Sequence, residues 1–460
     1  MHRPPSRRYV LRRTGAVGAF LILSPSAVRT YAANEKLDMA VIGVGGRGGG
    51  MAGQAGGQNL VAVCDCDPSK AEGFKKKHPA LKVYTDYRRM FEQEKTLNAV
   101  GVATPDHHHF LASMMAIDKG LAVYCEKPLT FSVWEARRLA EFARQKKVAT
   151  QLGNQGHSGE GWRRLCEVIW AGLLGDVTEV HCRTTWAFSK GTVADGPQPA
   201  APANLDWDAW IGPAPMRPYH SRLHPFWWRG WLDYGTGALG DQGCHVADGA
   251  FWALKIAQAD SIEVSAESTP DNGPLYPISS TVTYKIPARA GMVPLTLKWF
   301  LGDHQPPRPK EMEEKRGFPG HGAIYYGTKA ITYSEQYGGG IRIIPESKHK
   351  ATTYPAATLE RIKGDHWSNF IAAAKGGPPA CGNFDYGGPL TELALLGNIA
   401  IRIGKPFTWN VKDLKAVNCP QADALVKRDP RKGWDFGYTQ YKHLACDPTV
   451  GQAFLPVAER

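Results

Sequence analysis

The sequence predicts an α/β protein of two domains, with strand, glycine-loop and helix units first and half-buried strands after them. Three observations predict it. A glycine-rich turn follows the first apolar run and opens a helix. Short apolar runs then end in polar loops up to about residue 155, and beyond about residue 176 period-two alternation takes over. At 460 residues the chain exceeds a comfortable single core, so two domains are expected.

An address stands ahead of the first strand. Ser6-Arg7-Arg8-Tyr9-Val10-Leu11-Arg12 pairs two arginines, an apolar stretch covers Ala16 to Ala27, and small residues follow at Ala32 and Ala33. The stretch is shorter than the ~20 residues a bilayer span needs. A basic start, an apolar middle and a small-residue end make a signal peptide. The arginine pair, with Leu11 three residues on, resembles the twin-arginine export signal, an ordinary secretory leader being the alternative. The expectation is a leader over 1–33 and delivery of a folded, cofactor-loaded protein to the periplasm or another extracytoplasmic space. No later segment is apolar enough to cross a membrane, so stable insertion is not expected.

The leader also corrects the charge. The net charge is +12, but residues 1–33 hold six Arg and no acid, which is half of it. The remainder is spread along the chain with no basic run carrying interleaved aromatics, which argues against a nucleic-acid partner. Nine Cys without a CxxC pair signal neither a disulfide framework nor a zinc knuckle, and buried free thiols are expected.

The first domain is expected over 34–155. Leu37 to Ile42 reads as a buried parallel strand, and Gly43-Val44-Gly45-Gly46-Arg47-Gly48 matches GxGxxG. Such glycines permit a tight turn, let backbone approach a pyrophosphate and let the next helix pack on the strand; the helix start offers free N–H groups to phosphate. Gly49, Gly50 and Gly53 weaken that helix. Asn59 to Cys64 reads as a second strand ending at Asp65, 22 residues after Gly43, near the spacing of the acid that holds ribose hydroxyls. An acid there repels a 2′-phosphate, which favours NAD over NADP; a plain strand-end turn residue is the other reading. Two further units end in Thr104-Pro105-Asp106-His107 and Cys125-Glu126-Lys127-Pro128, where α/β sheets place ligands. His107, His108 and His109 are adjacent and so do not share one face, and no metal is expected there.

These segments resemble the glucose–fructose oxidoreductase, inositol dehydrogenase and rhizopine catabolism family (Gfo/Idh/MocA). The carriers are Gly43 to Gly48, Ala103 to His107, Glu126-Lys127-Pro128 and Gly240-Asp241-Gln242-Gly243-Cys244-His245. The resemblance implies a Rossmann domain plus an α/β domain over 156–460 with an open, largely antiparallel sheet that covers the nicotinamide. It assigns NAD contacts to Gly43, Gly45, Gly46, Arg47, Gly48, Asp65, Thr104, Pro105, His107 and Glu126. It makes His245 the acid/base and Lys127 the cation on the reacting oxygen. Val282, Tyr284 and Ile286, then Leu295, Leu297 and Trp299, alternate with polar residues as half-buried strands, and helical patterns return at 367–374 and 390–403.

Hydride transfer from an alcohol needs a base for the hydroxyl proton, and imidazole titrates near neutrality. Asp241 precedes His245 by four; on a helix the two share a face, where Asp241 could orient His245 or bind a substrate hydroxyl. A purely structural pair is the other reading. Residues 186–234 hold six Trp and two Tyr among polar side chains that include Arg229. Such a segment suits either a carbohydrate site or its own packed core or subunit interface. Asn154, Gln155, His157 and Arg163 follow the next strand as further candidates. Three functions remain open: a sugar or cyclitol dehydrogenase, a glycosidase that recycles retained NAD, and a non-catalytic sugar sensor. A homo-oligomer is expected.

Overall fold

The structure, a computed structural model, describes residues 35–189, 198–270, 273–317 and 320–439. The expected leader and Cys446 lie outside the described residues.

β1 (Asp38–Ile42), β2 (Asn59–Cys64), β3 (Lys82–Tyr84), β4 (Ala99–Val102), β5 (Ala122–Cys125) and β6 (Thr150–Leu152) form one parallel sheet in the order β3-β2-β1-β4-β5-β6. Its central strands are buried on both faces, which is why their sequences are apolar without alternation. The register aligns their carboxyl ends: Ile42 pairs Cys64 and Val102, Val102 pairs Cys125, and Cys125 pairs Leu152. Gly43, Asp65, Ala103 and Glu126 therefore emerge along one rim, at the switch between β1 and β4. The helix Arg47–Ala55 forms despite its glycines.

The second sheet holds β7 (Val177–Thr184), β8 (Ser261–Ser268), β9 (Ser280–Ile286), β10 (Leu295–Leu301), β11 (Gly322–Gly327), β12 (Ile331–Ser334), β13 (Ile341–Ile344), β14 (Phe407–Asn410) and β15 (Lys415–Val417). Their order is β13-β12-β11-β7-β10-β9-β8-β14-β15. Only β7 and β10 pair in parallel; every other neighbouring pair is antiparallel. The expected alternation holds, with Val282 opposite Trp299 and Tyr284 opposite Leu297 on the buried face.

The second helical pattern begins earlier than expected, at Phe384–Ile403. Gly387-Gly388-Pro389 reads as a breaker, yet Asn383 caps the helix by accepting from the N–H groups of Asp385 and Tyr386. The glycines allow close packing, since a Cβ at Gly387 would lie 2.9 Å from Leu152 and one at Gly388 3.2 Å from Ala140.

The second half of the chain also returns to the first sheet. Trp367 and Phe370 of the helix His366–Ala374 pack on Tyr124. Further on, Arg428 binds Glu135 at 2.7 Å, and Trp434 meets Tyr87 edge-on beneath the Arg88 guanidinium. Among the described residues no helix is long and apolar enough to cross a membrane. The eight described cysteines are free, six of them buried.

Candidate active site

A cleft of about 1120 Å³ opens along the carboxyl rim of the parallel sheet. Gly43 has φ +80°, and a Cβ on it would lie 2.7 Å from the Ala103 carbonyl oxygen. A Cβ on Gly48 would collide with the Gly43 carbonyl, so the turn and the helix start admit glycine alone. Gly46 faces open space. The N–H groups of Val44 and Gly45 donate to Asp65 Oδ2 at 2.8 and 3.1 Å, so the loop already holds an anionic oxygen. Burial pushes the Asp65 carboxyl up, against the pull of these backbone donors. Arg47 Nε donates to Glu126 Oε1 at 3.0 Å, and Gln155 joins the same oxygen at 3.2 Å. Thr104 and Pro105 line the cleft between them. An open glycine cradle, a carboxylate at the end of β2 and inward N–H groups fit a dinucleotide.

Lys127 and Asp241 come from opposite domains. Lys127 follows β5; Asp241 sits in the helix Gly237–Val246, which lies against Phe384–Ile403 under the second sheet. Lys127 Nζ donates to Asp241 Oδ1 at 2.8 Å, Arg229 Nε reaches the same oxygen at 3.2 Å, and Gln242 Nε2 takes Oδ2 at 2.5 Å. Burial opposes both charges, but mutual attraction wins: the Asp241 carboxyl is held well below the usual carboxylate range and the Lys127 ammonium above its ordinary value. His245 does share the helix, yet Asp241 does not orient it; the carboxylate is committed to Lys127, Arg229 and Gln242. The His245 ring packs on Tyr337 at 4.3 Å, and its Nδ1 is buried without a partner among the described residues. Burial, then the Lys127 charge, pulls the imidazole well below its ordinary pKa, so it is neutral at pH 7.

The Trp-rich segment does two things. Trp210, Trp228, Trp231 and Tyr234 build a small core with Leu205, Leu223 and Leu275. The segment also docks on the first domain: Asp206 N donates to Cys66 O at 2.9 Å and Asn204 Nδ2 to Asp67 Oδ1 at 2.7 Å. Within the second domain Arg431 Nε donates to Gly212 O at 2.9 Å. Trp210, His224 and Pro225 thereby wall the Asp65 end of the cleft.

Residues 37–154 match the model of an oxidoreductase family with an NAD-binding Rossmann fold, and residues 162–286 match the same family's C-terminal alpha/beta domain. Together they cover just over half of the chain. The chain belongs to the Gfo/Idh/MocA oxidoreductase family. It is 28% identical over 147 residues to a trans-1,2-dihydrobenzene-1,2-diol dehydrogenase from Bos taurus, covering 30% of this chain and 44% of that one. It is 29% identical over 118 residues to a D-glucoside 3-dehydrogenase from Escherichia coli, covering 26% and 33%. The chain thus spans less than half the length of these curated relatives. An inositol dehydrogenase homolog from Azotobacter vinelandii, crystallised with NADH and myo-inositol, shares the fold at TM-score 0.54 and 19% identity, covering 82% of this chain and 98% of that one.

Not every residue the family resemblance names faces the cleft. His107 is fully buried with its ring nitrogens 3.0 Å from the carbonyl oxygens of Tyr234 and Trp210, so it ties the domains together and does not line the cleft. His109, which does line the cleft, lies between Pro128 O and Thr104 O, and burial lowers the pKa of both rings. No group of three His, Cys, Asp or Glu side chains is placed to hold a metal among the described residues. Asn154 and His157 bind Asp248 at 3.1 and 3.0 Å, Arg163 binds the carbonyls of His157, Gly159 and Glu360, and only Gln155 of that quartet lines the cleft. Sequence reasoning gave no site role to Tyr337, which arrives from a distant loop and whose only local signal is the run Gly338 to Gly340. It also gave none to Asp106, whose carboxyl accepts from Thr236 N at 3.0 Å and Thr236 Oγ1 at 2.6 Å and is pushed up to about 7 by burial.

Proposed function

We propose that this protein is an NAD-dependent dehydrogenase for a secondary hydroxyl on a polyhydroxylated ring, a sugar or a cyclitol. The observation that carries the reading is the convergence of Lys127, Asp241, Arg229 and a neutral His245 in the cleft that the glycine loop opens. The names of the relatives support it, since the diol, the glucoside and myo-inositol are all rings bearing neighbouring hydroxyls.

Gly43 to Gly48, Asp65, Thr104, Pro105 and Glu126 would hold NAD, which accepts a hydride when bound. His245, neutral at pH 7, accepts the hydroxyl proton. Lys127 donates a hydrogen bond to the reacting oxygen and favours its ionised form, while Asp241 and Arg229 fix where Nζ points. Mixing the purified protein with NAD and a panel of myo-inositol, glucose and methyl glucosides, and following absorbance of NADH, tests the reading. Reduction with one ring and its loss in Lys127→Met are expected. No reduction and no binding of NAD or NADP would sink it.

One observation favours a second reading, a glycosidase that returns the hydride and keeps its cofactor. The segment 204–225 closes over the Asp65 end of the cleft. Stoichiometric NAD(H) released on denaturing the purified protein would support it. Export by the twin-arginine route remains a proposal carried by Arg7, Arg8 and Leu11; fusion of residues 1–40 to a reporter that is active only when exported folded tests it.

A further inference from the structure

Among the described residues four aromatic side chains are exposed: Trp170, Trp186, Phe226 and Tyr337. Three of these four line the one cleft. Large apolar surfaces left in water are informative when they cluster, because scattered ones need no explanation and a rimmed patch marks a binding site. Tyr337 packs at a tilt against His245 at the catalytic end. Trp186 and Phe226, 48% and 47% exposed, stand at the mouth on different segments.

The mouth is built. Arg229 lies 4.6 Å from the centre of the Phe226 ring and 4.3 Å from that of Trp228, donates to Phe226 O at 3.1 Å, and with its Nε holds Asp241. Phe226 is thus wired to the pair that fixes Lys127. Trp186 is braced by His321, edge-on at 4.8 Å, and its backbone N–H donates to Thr184 Oγ1 at 3.2 Å. Thr185 and His321 put hydroxyl and imidazole groups beside the indole. Flat apolar faces edged by such groups suit a hydroxylated ring, whose C–H face stacks while its rim hydrogen-bonds.

We infer that Trp186 and Phe226 form a second ring subsite, so that the substrate is a glycoside whose second hydroxylated ring, joined through the glycosidic oxygen, rests at the mouth while the first ring meets Lys127 and His245. This rests on the proposed oxidation and names its substrate class. The test compares methyl β-D-glucopyranoside, cellobiose, maltose and p-nitrophenyl β-D-glucopyranoside in the full-length protein with NAD, by KM and by calorimetric titration. The titration needs no turnover, so failure of the oxidation and failure of the subsite are distinguishable. A disaccharide is expected to bind roughly three- to tenfold more tightly than the methyl glucoside. Trp186→Ala should erase that ratio and Trp186→Phe should restore most of it; the half-exposed position makes both tolerable to the fold. Equal affinities for all four probes, or a ratio that Trp186→Ala leaves intact, would overturn the subsite. A gain confined to the nitrophenyl glucoside would overturn the hydroxylated occupant in favour of an arene.

Discussion

Lys127 Nζ and Asp241 Oδ1 meet at 2.8 Å across the boundary between the two domains. Neither domain holds this pair alone, and both members are largely buried, at 15% and 11% side-chain exposure. Breaking it should therefore register in stability and in chemistry together. Asp241→Asn is expected to cost about 3–5 kcal/mol in a denaturant titration, because it strands a buried ammonium. The Asp241 attraction now raises the Lys127 pKa; without it burial and the Arg229 charge prevail over the weaker pull of Glu126, so the alkaline limb of the kcat/KM profile moves to lower pH. A double Lys127→Met, Asp241→Leu variant should recover part of the stability, since Arg229 still loses its carboxylate, and none of the activity. Full activity in Asp241→Asn would remove Asp241 from the positioning of Lys127.

His245 should show itself through pH. A base must be neutral to accept a proton, and burial holds this imidazole below its ordinary value of 6.5, so the acid limb of kcat/KM is expected below pH 6.5. His245→Asn should lower kcat by about 10²–10⁴-fold while the NAD dissociation constant, read by fluorescence titration, stays within about twofold. An acid limb above 6.5 that survives the substitution would assign the proton to another group.

Asp65 governs the choice of nucleotide. Asp65→Asn keeps one oxygen for the N–H groups of Val44 and Gly45 but removes the charge that opposes a 2′-phosphate. NAD affinity should fall about tenfold, by analogy with a lost charge-assisted bond. NADP affinity should fall less or rise. Equal losses for both nucleotides would mean that Asp65 only shapes the loop.

Asp106 predicts a stability profile. Burial pushes its folded pKa up to about 7 from the ordinary carboxyl value of 3.8, so between those values the folded state holds the proton more firmly than the unfolded one. Stability from this group is present at low pH and is lost as pH rises from about 4 to about 7. Asp106→Asn, which still accepts from Thr236 N, should remove that slope. Unfolding free energies at pH 5 and pH 8 that differ equally in both proteins would contradict it.

The cofactor rim was legible because its signal is local: strand, glycine spacing and Asp65 lie within thirty residues of one another, and parallel register aligns them. Asp241 and His245 were picked out by the family resemblance, and their sharing of a face was only conditional on a helix, which the structure supplies over Gly237–Val246. What escaped was set by tertiary pairing. Asp241 turns to Lys127, 114 residues away, rather than to His245 four residues on. His107 carries the family pattern, yet its ring is wedged between the carbonyls of Trp210 and Tyr234, over 100 residues away, with one N–H to donate. Tyr337 reaches the catalytic end through a loop whose sequence says only that it turns. The helix start at Phe384, ahead of the expected 390–403, escaped because the glycines of Gly387-Gly388-Pro389 serve close helix packing against Leu152 and Ala140, which is invisible one residue at a time.

Trp367, Phe370 and Trp434 reach the first sheet only after most of the chain has left the ribosome. Residues 34–155 can therefore collapse early, but the seats around Tyr87 and Tyr124 stay empty until roughly a quarter of a minute to a minute later, at ordinary rates of synthesis. The parallel sheet is thus a late finisher, although it is made first. A fragment cut after residue 155 would expose those aromatic seats to other chains, and it should be recovered as aggregate where the full-length protein stays dispersed.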